Sequence, residues 1–133
     1  MEYIFFANRI NYIKSKWKVN RRMIRATTPI HTFVFEEDPS GYERILITYA
    51  QGGSIVMEKE KQDLSFETME DVLSHKQRFK AFFRLSQEDT KKFKAGGGQV
   101  QVQVRVLTEN GEALASDKKT ISVQDVLNDE VLT

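Results

Sequence analysis

Val100, Val102, Val104 and Val106 alternate with Gln99, Gln101, Gln103 and Arg105 in one unbroken run. Successive side chains of an extended chain point to opposite sides, so the valines share one face and the polar residues the other. The run ends at Leu107, and Asn110-Gly111 intervenes before a second stretch, Ala113 to Val123. Asn and Gly both tolerate positive φ, which makes this dipeptide a strong hairpin signal. An antiparallel sheet with one buried face is therefore the element around which the rest of the chain must be arranged.

The remainder of the body reads the same way. Ile30 to Phe35 is rich in β-branched and aromatic residues. Glu36-Glu37-Asp38-Pro39-Ser40-Gly41 punctuates it as a turn. Tyr42 to Ala50 is apolar on both faces at its centre, as an interior strand would be. Gln51-Gly52-Gly53 leads into Ser54 to Lys61, where Ile55 and Met57 are expected to face inward and Glu58 and Glu60 outward. Leu64 to Glu67 reads as a further short strand. Arg78 to Leu85 puts Phe79, Ala81, Phe83 and Leu85 on one side. Two helical pieces interrupt this pattern: an insert over Thr68 to Gln77, with Thr68 as N-cap, and a single turn capped by Ser86 and Asp89. About seven short strands with turn signals between them predict a β-sandwich, immunoglobulin-like in kind, over residues 23–133.

Residues 1–22 differ in character. Tyr3, Phe6, Ile10, Ile13 and Trp17 recur at three- and four-residue spacing, which predicts an amphipathic helix. The charge is also uneven. The 133-residue chain carries a net +1, yet residues 1–28 hold seven basic groups against Glu2 alone. A basic arm on a mildly acidic body follows. The arm admits three readings: docking on a partner's groove, packing on the protein's own sandwich, or an extension upstream of a domain that begins at Met23. Its stripe and cations (Phe6, Ile10, Ile13, Lys14, Trp17, Lys18, Arg21 and Arg22) are the first candidate contact set. Gln101, Gln103 and Arg105 form a second, either a solvated face or a contact with another subunit.

Signs of chemistry are few. The chain has no cysteine, so thiolate metal sites, cysteine nucleophiles and disulfides are excluded. His31 and His75 are the only histidines and lack metal-ligand or triad spacing. Gly96-Gly97-Gly98 precedes a strand and has no P-loop lysine, so it reads as a loop and not a phosphate cradle. Glu36, Glu37 and Asp38 sit in a turn and Glu88-Asp89 in a helix cap, where carboxylates are favoured on dipole grounds alone. No cofactor or metal is expected, and no enzyme. No stretch approaches the ~20 apolar residues of a membrane span, and the host cell cytoplasm is the expected location, with incorporation into a virion as the further expectation.

Thr27-Thr-Pro-Ile-His-Thr-Phe33, Ile47-Thr-Tyr-Ala-Gln-Gly52, Leu85-Ser-Gln-Glu-Asp-Thr-Lys-Lys-Phe93, Val102-Gln-Val-Arg-Val-Leu107 with Gly111-Glu-Ala-Leu-Ala-Ser116, and Asn128-Asp-Glu-Val-Leu132 stand in this order. Over residues 23–132 the chain resembles a family of small uncharacterised proteins encoded in phages and prophages of Gram-positive anaerobes, often beside structural genes. The resemblance implies a phage origin and a sandwich body, and it supplies no catalytic residues. Family members begin near the Thr-Thr-Pro motif, so residues 1–22 look like an extension, and the insert over Thr68 to Gln77 is longer than usual.

Together these readings predict a non-enzymatic phage protein that works through protein contacts, as a tail, baseplate or head accessory module, with self-association among the expected contacts. Nucleic acid enters only through the basic arm. The alternative is an inhibitor of a host defence protein such as an RNA-guided nuclease. A near-neutral net charge argues against mimicry of DNA in that role.

Overall fold

The computed structural model describes residues 2–7, 12–17, 22–70 and 77–133. The regular structure of the described residues is mostly strand: β1 (Glu2–Ala7), β2 (Tyr12–Trp17), β3 (Arg22–Ile24), β4 (Ile30–Phe35), β5 (Arg44–Gln51), β6 (Ser54–Glu60), β7 (Ser65–Glu70), β8 (Gln77–Arg84), β9 (Val100–Leu107), β10 (Ala113–Ser116) and β11 (Lys119–Gln124). The helix among the described residues is one turn, α1 (Gln87–Lys91). The all-β expectation holds.

β9 is the spine. Along one edge it pairs over its whole length with β5, from Arg44↔Leu107 to Gln51↔Val100. Along the other it pairs with β10 near its end and with β11 near its start. The run from Ala113 to Val123 is thus two strands with a break at Asp117-Lys118. Ser116 bridges the gap this leaves. Its hydroxyl accepts from the Val104 amide at 2.9 Å, while the Gln103 side chain donates to the Ser116 carbonyl at 2.9 Å. A buried amide without a partner is costly, and a serine hydroxyl supplies what the missing strand does not.

A second set of strands runs β4–β8–β7, antiparallel throughout. β1 and β2 join the two sets: β1 lies parallel to β4 and β2 parallel to β10. With β3 parallel to β11, the sheet is mixed, where the sequence reading expected antiparallel pairing alone.

The alternating residues of the two sets meet in one core. Phe33, Phe35, Ile45, Ile47, Tyr49, Ala81, Phe83, Leu85, Phe93 and the four valines of β9 are all buried there. Val34 is buried as well, at 1%, but lies outside this cluster on the opposite face of β4.

Three expectations are corrected. Of the segment expected as an amphipathic helix over residues 1–22, Glu2–Ala7 and Tyr12–Trp17 are the strands β1 and β2, Arg22 opens β3, and the rest lies outside the described residues. The helical stripe skipped Ile4, Phe5 and Tyr12, and with them included both segments are dense in the aromatic and β-branched residues that favour strands. Thr68 is not a helix N-cap: it pairs with Phe79 within β7 and β8, and residues 71–76 of the expected insert lie outside the described residues. Ile55 does not face inward. The β5–β6 register shifts between Tyr49 and Ala50, and that irregularity turns Ile55 outward to 64% exposure while Met57 stays buried.

Candidate interaction surface

Register decides which residues share the outward face of β5, β9 and β10. Arg44, Leu46, Thr48 and Ala50 lie opposite Leu107, Arg105, Gln103 and Gln101 in turn. Ala113 and Ala115 continue the rows onto β10. None of these ten positions is acidic, in a chain with 19 acidic residues. Solvent-facing sheets more often carry charges of both signs. This face is instead made of Gln, Thr, Ala, Leu and two arginines.

Its acids stand on the rim. Glu60 of β6 receives Arg44 Nη2 at 2.8 Å and Nε at 3.3 Å. The ion pair holds the Glu60 carboxyl below its usual range. Both side chains are solvated, so the pair orients Arg44 more than it stabilises the fold. Glu58 accepts from the Thr48 hydroxyl at 3.2 Å. Arg105 is exposed and has no side-chain partner among the described residues. At one end of the face Arg44, Leu46, Arg105, Leu107 and Ala113 line a shallow groove of about 160 Å³. Leu107 is 37% exposed there, and Ile55 protrudes at the other end.

Of the residues singled out from sequence, Gln101 and Arg105 are exposed and Gln103 half-buried, together on this face. Arg22 is exposed on β3, opposite Ser122. Phe6 falls in β1 and Ile13, Lys14 and Trp17 in β2, strands and not one helical stripe. Ile10, Lys18 and Arg21 lie outside the described residues, as does His75. Arg44, Leu46, Thr48, Ile55 and Leu107 were missed as contact residues. Their only sequence signal was a pair of outward leucines and a threonine in strands otherwise read for their buried face.

The motifs with a chemical look are structural. Gln51 clamps the glycine loop, donating to the Lys94 and Gly98 carbonyls at 2.7 and 2.9 Å and accepting from the Lys94 amide at 2.8 Å. A Cβ at Gly97 would come within 2.9 Å of Lys94 Cβ, so the turn requires glycine there. Asp38 caps its turn by accepting from the Ser40 amide and hydroxyl. Asp89 and Ser86 form a reciprocal capping box, and Lys59 adds an ion pair to Asp89 at 3.3 Å. Burial pushes the Asp89 carboxyl up, but the Ser86 amide and Lys59 outweigh it and leave the group below its usual range.

His31 is sealed in the core. It is fully buried, stacked on Tyr49 at 5.6 Å and edge-on to Phe83 at 5.9 Å. Its Nδ1 is hydrogen-bonded to the Tyr49 hydroxyl, and its Nε2 has no partner. Burial pushes its pKa down to about 3, so the ring is neutral at physiological pH and no substrate reaches it. Among the described residues no three His, Cys, Asp or Glu side chains are grouped to hold a metal ion. No helix among them is long and apolar enough to cross a membrane. No protein-family model and no curated protein matches the chain.

Proposed function

We propose that the chain is a non-enzymatic contact protein of phage origin, an immunoglobulin-like sandwich serving as an accessory module of a tail, baseplate or head. The outward face of β5, β9 and β10 is its main contact surface, and the basic residues of the N-terminal segment, Lys14, Lys18, Arg21 and Arg22, add a second. The observation that carries this reading is the acid-free rows of β5, β9 and β10, bordered on β6 by Glu58 and Glu60, with Leu107 and Ile55 exposed at opposite ends. Protein interfaces are depleted in charge at their centres and rimmed by polar groups, and this face has that layout. His31, whose pKa burial pushes down to about 3, is enclosed in the core with no exposed surface.

Particles purified from an infected or induced host and analysed by mass spectrometry test the role. The chain is expected in the particles at fixed stoichiometry to a structural protein. Its absence from particles, with capture of a single host protein by the tagged chain, would refute the virion role and establish the inhibitor in its place.

A further inference from the structure

A second outward face lies on the far side of the core, and its charge is largely of one sign. Ala81 and Phe83 of β8 are buried in the core, so Arg78, Lys80, Phe82 and Arg84 alternate onto the outward side. Register carries the same rows across the neighbouring strands. Lys80 lies opposite Val34 of β4, Val34 opposite Ile4 of β1, and Ile4 opposite Lys16 of β2. Lys14 stands two positions along β2, opposite Phe6. Two cationic strips, one on β2 and one on β8, therefore flank the centre of this face, three strand spacings or ~14 Å apart.

The acidic positions in these rows are Glu2, opposite Thr32, and Glu67, opposite Lys80. Five basic positions against two acidic ones leave the rows at +3, in a chain whose net charge is +1. The rows of β6, β5, β9 and β10 balance instead, with Arg44 and Arg105 against Glu58 and Glu60. Lys80 Nζ stands 3.9 Å from Glu67, a solvated pair of little strength. Arg84 donates to the Thr28 carbonyl at 3.0 Å and keeps its charge. Val34, at the centre, is 1% exposed, so the face presents charge and not a greasy patch. One aromatic ring, Phe82, sits half-buried between Lys80 and Arg84.

We infer that this face binds single-stranded nucleic acid, with phosphates on the two cationic strips and a base stacked on Phe82. Cationic rows with an interleaved aromatic hold single strands with little regard to sequence. A membrane surface would require exposed large apolar side chains beside the cations. Those of this protein are Ile55, Leu107, Leu127 and Leu132, all outside these rows, and Ile30, at 40%, is the one described within them. The inference goes beyond the proposed protein contacts, which use the opposite face, and stands or falls separately from them.

Fluorescence anisotropy of a labelled oligothymidylate of about 20 nucleotides, longer than one binding site, tests it with the full chain. Micromolar binding is expected at about 50 mM salt, weakening toward about 200 mM. Five phosphate contacts set the slope of log K against log salt at about −3.5. Lys14→Gln/Lys16→Gln should flatten that slope by about 1.4, the share of two phosphates, and so should Lys80→Gln/Arg84→Gln. Phe82→Leu should weaken binding about fivefold or more with the slope unchanged, because it removes stacking and no charge. Lys91→Gln/Lys94→Gln, an equal change of net charge outside these rows, should leave the slope as it is. Melting temperatures close to that of the wild type identify the variants that remain folded, and the two double variants on β2 and β8 test the face independently. No binding at about 50 mM salt, an equal loss in Lys91→Gln/Lys94→Gln, tighter binding to a duplex of the same length, or binding confined to phosphatidylserine vesicles would overturn the inference.

Discussion

Between pH 7 and pH 4.5 the unfolding free energy is expected to fall by about 3 kcal/mol, most of it from His31. The ring titrates near 6.5 when the chain is unfolded and at about 3 in the core. Below about pH 6.5 the unfolded state therefore binds a proton that the folded state does not. Stability is full above 6.5 and declines by about 1.4 kcal/mol for each pH unit below it, until the folded ring itself protonates. Asp89, Asp125 and Glu60, whose pKa values are lowered, add their losses from the ordinary carboxylate range downward, so they contribute little above about pH 4.5. Urea titrations at pH 7 and 4.5 measure the difference. In the double variant His31→Phe/Tyr49→Phe the slope between these pH values should nearly vanish, because the only buried imidazole described is gone. A wild type as stable at pH 4.5 as at pH 7 would show that the ring is not sealed.

Tyr49→Ala is expected to cost about 3–5 kcal/mol, the range for removing a large side chain from a packed core. Tyr49 is fully buried and lies within 6.4 Å, centroid to centroid, of His31, Phe83 and Phe93. It joins strands of both sets and the loop after α1 in one cluster. Tyr49→Phe keeps that packing and removes the hydroxyl from His31, leaving both ring nitrogens without a partner. Its cost should be about 1–3 kcal/mol, the desolvation penalty of an orphaned buried group. Replacing both partners by Phe should cost less than Tyr49→Phe and His31→Phe added together, since the two groups are coupled. Equal losses for Tyr49→Ala and Tyr49→Phe would contradict the packing argument.

What the sequence disclosed, and what it hid, follows from where each signal lives. The valine alternation of β9 and the Asn110-Gly111 turn are local, and both stand as read: Leu107 pairs with Ala113 across that turn. The Ser86–Asp89 capping box is local too, and its reciprocal hydrogen bonds are present. The N-terminal segment misled because its apolar residues fit two periods at once, and strand pairing with β4 and β10 is a long-range fact. Ile55 misled because a single bulge reverses the facing of every residue beyond it, and no residue in Gln51-Gly52-Gly53 announces one. The contact face was half legible. Gln101, Gln103 and Arg105 show themselves in a strict alternation, whereas Arg44, Leu46 and Thr48 join them only through a register that periodicity does not encode.

The outward face of β5, β9 and β10 is tested most directly by comparing capture with the full tagged chain, the variant Ile55→Glu/Arg105→Glu, and Glu88→Lys on exposed α1, in cells producing phage. With melting temperatures matched, the wild type and Glu88→Lys should retain the same phage structural protein and the face variant should lose it. Equal recovery by all three proteins would contradict the assignment of this face.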